Sequence, residues 1–185
     1  MAFQEVKRRP GGREPPPPPP QRDWRLEPRV VLFDKSGALG WMGNWHAASF
    51  DVRGRAYHHV EGWMQAAKHA GNPEFAREIR ATASASQARA MGIEKRLWAD
   101  LDAGKRALTP GELGRWRATK LDILHEGLRA KFTQHRILGR RLLATGDAPL
   151  VYDDPDDAFY GCGVDGRGHN HLGRALMRVR SELRK

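Results

Sequence analysis

The apolar positions of this chain read as a strand-forming beginning followed by a long helical remainder. "RVVLF" (29–33) is a short unbroken apolar run with a β-branched centre, the pattern of a buried strand. A glycine-punctuated loop, "DKSGALGWMG", follows and carries Trp41. In "SFDVRGRAYHHV" two short strands flank Arg53-Gly54-Arg55, a hairpin that offers Phe50, Val52 and Tyr57 to the core. Helical spacing then takes over. One helix runs from about Glu61 to His69 and stops near Gly71. "NPEFAREIRA" opens another, with Asn72 as cap, Pro73 at the first helical position and Glu74 in the first turn. "SASQARAMG" is a short helix stopped by Gly92, and "IEKRLWADLDAG" spaces Ile93, Leu97 and Leu101 by four. The clearest signal is "TPGELGRWRATKLDILHEGLRAKF". Thr109 and Glu112 have capping-box spacing, and Leu113, Trp116, Leu121, Leu124, Leu128 and Phe132 recur at roughly helical intervals. "HRILGRRLLATG" continues helically to Gly146, and "PLVY" (149–152) is one more strand. Leu172, Leu176, Val179 and Leu183 give a last helix an inward stripe, with Asn170 as its cap. The pattern is an α+β fold, a small sheet surrounded by many helices, without the regular alternation of a doubly wound fold.

Composition turns this into one domain and a leader. Residues 1–28, with "PPPPPP" at 15–20, are expected to be a disordered Pro-rich leader holding a short polyproline rod, and 29–185 a single folded domain. The net charge is +10, of which +2 falls in 1–28 and +8 in the remainder. A basic chain favours phosphate-bearing partners, but the arginines are scattered and form no dense block. No apolar run approaches bilayer length and no secretion signal opens the chain, so a cytoplasmic protein without a membrane partner is expected. The lone Cys162 excludes an intrachain disulfide and reads as a buried small hydrophobe.

Three places could carry chemistry. In "VEGWMQAAKH", Glu61, Gln65 and Lys68 are spaced by four and three and share a helix face. A solvent-exposed Glu–Lys ladder is the plainer reading of the same spacing, and Trp63 and Met64 read as core. The second place is the loop carrying Asn44. The third is "YGCGVDGRGHNHLG" (160–173), where so many glycines demand backbone geometry that side chains would block. No histidine pair has zinc-ligand spacing, and His58, His59, His169 and His171 receive no role. The glycines also fail the phosphate-loop pattern, and their GxGxxG spacing has no room for a following βαβ unit.

Taken together, Asn44-Trp45 after a glycine loop, "VEGWMQAAKH", "LRAKFTQHRILGRRLLATG" and "DAFYGCGVDGRGHNHLGRALMRVR" resemble the NADAR family, also called YbiA-like, over about residues 30–183. The resemblance implies an N-glycosidase of α+β, largely helical fold, without metal or redox cofactor. Some members cleave the base–ribose bond of ribosylaminopyrimidine phosphates from riboflavin synthesis; others remove ADP-ribose from guanine in DNA or nucleotides. The implied essential glutamate is Glu61, with Gln65 and Lys68 as its helix partners and Asn44, followed by Trp45, in the pocket. The glycine motif would place Gly163, Asp165, Gly166, Arg167, Gly168 and Asn170 at the substrate. Such chemistry suits these residue types. Breaking an N-glycosidic bond builds positive charge on the ribose, which a carboxylate such as Glu61 would stabilise. Lys68 would hold a ribose hydroxyl or phosphate, or act through the opened aldehyde of the sugar. Backbone N–H groups of the glycine segment would meet substrate oxygens, and Arg167 with the start of the last helix would favour a 5′-phosphate. Trp41 and Trp45 would stack on the base. Arg180 reads equally as a helix–helix ion partner or a ligand contact.

Five positions depart from the family pattern: Met42-Gly43 for Leu-Ser, Val60 for Ser or Thr, Tyr152 for a strand glutamate, and Tyr160 for tryptophan. The site would thus have one carboxylate fewer. The leading expectation is a small N-glycoside hydrolase acting on a ribosyl phosphate or ADP-ribosyl small molecule, with DNA kept open as a carrier of the substrate. A pocket that binds nucleotides without turnover is the second class. A basic nucleic-acid-binding protein with salt-dependent affinity is the third.

Overall fold

A computed structural model describes residues 23–92 and 108–185 of the chain. The helix expected over "IEKRLWADLDAG" lies outside the described residues. Among the described residues the sheet consists of two pairs of three-residue strands. β1 (Val31–Phe33) runs parallel to β4 (Leu150–Tyr152), with Leu32 opposite Val151. β2 (Phe50–Val52) and β3 (Arg55–Tyr57) form the antiparallel hairpin, with Phe50 opposite Tyr57. Arg53 and Gly54 turn it, both at positive φ (54° and 73°), which is the two-residue turn whose twist matches its strands.

Parallel strands need a crossover, and here the helical body supplies it. α1 (Val60–Lys68), α2 (Pro73–Ala81) and α3 (Ala85–Gly92) pack together, and α1 also lies along α4 (Pro110–Gln134). α5 (Arg136–Ala144) follows after a break at His135, and α6 (His171–Glu182) closes the chain against α4 and β4. Asn72 caps α2 by accepting from Phe75 N–H, and Thr109 with Glu112 makes the full capping box of α4. The α+β class holds, with the small sheet in two separate pieces. No helix among the described residues is long and apolar enough to cross a membrane.

The core gathers Val60, Trp63, Ile79, Leu128, Leu142 and Leu176 from five helices, together with Leu150 of β4. Along α4 the buried stripe is Leu124, Leu128, Lys131 and Phe132, which leaves Leu121 on the solvent side. That stripe contains a lysine.

The leader boundary moves. Residues 1–22, with the proline run, lie outside the described residues, but 23–28 are part of the fold and not a disordered tail. Trp24 N–H donates to Gly166 O and its indole N–H to Gly168 O, while Arg25 pairs with Asp153 at 2.8 Å and donates to the Gly163 and Val164 carbonyls. The glycine segment offers these carbonyls because it has few side chains to cover them, and residues 23–25 cover it instead. Replacing Trp24 by Ala is expected to cost about 1–2 kcal/mol through the lost indole hydrogen bond to Gly168 O and the ring's packing, lowering Tm by a few degrees. A thermal melt against the parent chain reads this out. An unchanged Tm would show that the segment merely rests on the surface.

Candidate active site

The start of α1 has orphan N–H groups, and the loops around it meet them one by one. His59 at the N-cap accepts from Gly62 N–H through Nδ1 at 2.8 Å, so this buried ring is neutral on that side, and burial lowers its pKa. Glu61 N–H donates to Asn44 O at 2.9 Å. Glu61 thereby sits in the first turn, where the helix dipole favours a carboxylate, with its side chain only 2% exposed.

Two amides hold that carboxylate. Asn44 Nδ2 donates to Oε2 at 2.6 Å and Gln65 Nε2 to Oε1 at 2.8 Å, and the Arg89 guanidinium stands 3.8 Å from Oε1. Burial pushes the Glu61 pKa up, while Gln65, Arg89 and Asn44 pull the other way. The outcome is a desolvated carboxyl held in one place, its pKa above the ordinary value. It is no solvent-exposed ladder. Gln65 is buried as well, at 7% exposure, and its Oε1 has no hydrogen-bond partner among the described residues.

Glu61 and Gln65 form part of the wall of a cleft of about 720 Å³, a size that suits a nucleotide. Asn44, Trp45 and Lys68 share that cleft, so five of the expected site residues converge. Lys68 Nζ donates to Gly92 O at 2.7 Å. Cations ring the opening: Lys35 lies 5.7 Å from the Trp45 ring and Lys120 3.5 Å from the Phe159 ring, with Arg89 deeper. Tyr160 faces the same space, its hydroxyl kept protonated by burial and by the Glu61 charge.

The remaining expected residues lie elsewhere. Trp41 is in the core, edge-on to Phe132 and under the Arg141 guanidinium at 4.3 Å. Gly163, Asp165, Gly166, Arg167 and Gly168 do not line the cleft; they turn back beneath Trp24 and Arg25. Their composition has a structural cause. Gly163 and Gly166 sit at φ of 68° and 74°, and a Cβ on Gly168 would come within 2.5 Å of Gly161 O. Arg167 opens onto a different surface, with Trp24, His169 and Arg174. The start of α6 offers no phosphate cradle, because His171 and Leu172 N–H groups already donate to Phe159 O and Tyr160 O. Asn170 is not a side-chain cap. It stands at φ 50°, fully buried, and its amide clamps β4 by accepting from Tyr152 N–H and donating to Leu150 O. Arg180 does not line the cleft; its guanidinium donates to Thr145 Oγ1 and Ala148 O.

Tyr152 does face the cleft, donating its hydroxyl to Asp154 at 2.9 Å. The missing strand glutamate leaves no shortage of carboxylates there, because Asp154, Asp156 and Asp157 line the same wall. Two further residues were not foreseen. Arg89 comes from α3, and only tertiary packing brings it to Glu61. Lys131 had a visible signal: it falls on the apolar stripe of α4, where a lysine demands a reason. Its Nζ donates to Trp41 O at 2.7 Å and Gly43 O at 2.8 Å.

Against known proteins, a NADAR domain model matches residues 32–184. An N-glycosidase of Nostoc punctiforme is 33% identical over 147 residues, covering 78% of this chain and 86% of the relative. The N-glycosidase YbiA of Escherichia coli is 32% identical over 154 residues, 83% of this chain and 88% of YbiA. The NMR structure of YbiA superposes with a TM-score of 0.68 at 30% identity, over 89% of this chain and 93% of YbiA. A riboflavin biosynthesis protein of Vibrio vulnificus is 29% identical over 160 residues, and this chain spans 40% of its length.

Proposed function

This chain belongs to the NADAR, or YbiA-like, family of N-glycosidases and is an N-glycoside hydrolase, and from that premise we propose that it cleaves the base–ribose bond of a ribosylaminopyrimidine 5′-phosphate or a closely related nucleotide. The observation that carries this reading is Glu61, a desolvated carboxyl fixed by Asn44 and Gln65 at the wall of a nucleotide-sized cleft. As the bond from C1′ to the base nitrogen lengthens, its electron pair leaves with the base and positive charge grows on C1′ and the ring oxygen. Glu61 stabilises that charge and takes a proton from the water that attacks C1′. The proton that Glu61 takes is passed on through solvent to the base nitrogen, so the products are free base and ribose 5-phosphate and Glu61 is regenerated.

The other residues fall into roles around that step. Gln65 holds Glu61 through its amide nitrogen, with its own oxygen packed against Gly92, and so fixes the carboxylate. Trp45, with Phe159 and Tyr160 across the cleft, gives the base a flat apolar seat. Lys35, Lys68, Arg89 and Lys120 supply the positive field for a phosphate, the part expected of Arg167 from the sequence. The name of the Vibrio vulnificus relative, a riboflavin biosynthesis protein, supports an aminopyrimidine base.

Incubation with ribosylaminopyrimidine 5′-phosphates and, separately, with ADP-ribosylated guanosine tests the reading, with base release followed by mass spectrometry. The expected result is release of the free aminopyrimidine with kcat/KM at least about tenfold above that for the guanosine compound. Release from the guanosine compound alone would overturn the substrate assignment and favour ADP-ribosyl-guanine. Binding of both without release would point to a pocket that has lost turnover.

A further inference from the structure

We propose that Lys131 is a positioning residue for Glu61, acting through the Trp41–Gly43 turn and Asn44. Its ammonium is wholly buried on α4 and reaches two carbonyls of one turn, Trp41 O and Gly43 O. Asn44 is the next residue. Its own carbonyl accepts from Glu61 N–H and its amide donates to Glu61 Oε2. Two successive peptides are therefore gripped, Asn44–Trp45 by the first turn of α1 through Asn44 O and Gly43–Asn44 by α4 through Gly43 O. Free rotation of the Gly43–Asn44 peptide would swing the Asn44 amide off the carboxylate, and the lysine blocks it.

Burial of an ammonium is costly, which argues that the bonds it makes matter. Burial pulls the Lys131 pKa down to about 7, and no carboxylate among the described residues offsets it. The charged groups on this side of the molecule meet at His46, on the loop beyond Asn44, whose pKa is lowered by burial and by the charges of Lys131, Arg141 on α5 and His135 at the junction of α4 and α5. All are basic, and Arg141 presses on Trp41 from the far side. A hydrocarbon here would remove the cost but release the turn.

The proposal rests on Glu61 as the reactive carboxyl, so its test has one arm that needs no substrate. With side-chain carboxyls labelled by 13C, the Glu61 titration is followed by NMR in the unaltered protein and in Asn44→Ala, Lys131→Met and Lys131→Gln. Loss of the Asn44 hydrogen bond raises the midpoint, and both lysine variants are expected to raise it in the same direction. In the activity arm, kcat falls at least about tenfold while KM stays within about twofold, because Lys131 does not touch the cleft. Asn44→Ala combined with Lys131→Met is expected to be no worse than Asn44→Ala alone, since both act through one hydrogen bond. An unmoved Glu61 midpoint in the folded Lys131→Gln protein would overturn the proposal, as would multiplicative losses in the double variant. A moved midpoint without activity on any ribosyl substrate would uphold it and sink only the substrate assignment.

Discussion

Glu61→Gln is expected to lower kcat by about a thousandfold or more while leaving the fold intact. Glutamine keeps the volume but cannot carry the charge that stabilises an oxocarbenium-like ribose, nor take the proton of the attacking water. The fold survives because either neighbouring amide, Asn44 or Gln65, can turn over to present its oxygen to the new amide. Steady-state base release, beside a far-ultraviolet dichroism spectrum, measures both halves of the expectation. Substantial turnover by the folded variant would remove Glu61 from the chemistry and leave Lys68, in the same cleft, as the group to test next.

The same substitution carries a pH signature. The Glu61 pKa is raised in the native state from its ordinary 4.5, with burial as the leading cause. Between that ordinary value and the native one, the native state binds more protons than the unfolded chain, so stability falls as pH rises. Glu61→Gln removes the carboxyl and with it this slope. Urea midpoints of the two proteins are therefore expected to move in the variant's favour on going from about pH 4 to about pH 8. A constant difference would mean that Glu61 titrates normally.

Asn170→Ala is expected to be the most destabilising of the changes considered, at about 3–6 kcal/mol. It strips the partners from Tyr152 N–H and Leu150 O, both at the buried strand beside α6, and leaves alanine at φ 50° where asparagine is tolerated. Leu150 and Tyr152 belong to β4, whose end carries Tyr152 into the cleft, so the wall of the site loosens with the strand. Urea denaturation separates this from a ligand role. A midpoint unchanged from the parent, with a raised KM, would make Asn170 a substrate contact after all.

How far these residues were legible follows from whether their signal is local. The hairpin at Arg53-Gly54, the Asn72 cap and the Thr109–Glu112 box depend on neighbours a few positions apart, and all three form as the sequence indicates. The triplet Glu61, Gln65 and Lys68 is local as well, because helical spacing alone puts it on one face. Whether that face met water or a cleft was not local. The answer came from Asn44, seventeen positions away, and from Arg89 on another helix.

The glycine segment shows the limit from the other direction. Five glycines announce unusual backbone, and the backbone is unusual, with two of them at positive φ. The same geometry serves a pocket wall or a surface for the chain's own residues 23–25, and the string of letters is identical in either case. The sequence by itself determined the order of the described elements, the caps at Asn72 and Thr109, and the carboxylate, amide and lysine that share the first helix, because those rest on contacts within one turn. Only the tertiary structure decided that Glu61 is desolvated, that Lys131 braces the turn before Asn44, and that Asn170 and Arg167 stand outside the cleft. Those outcomes depend on which distant surfaces exclude water from which groups, and exclusion of water is a property of the packed molecule.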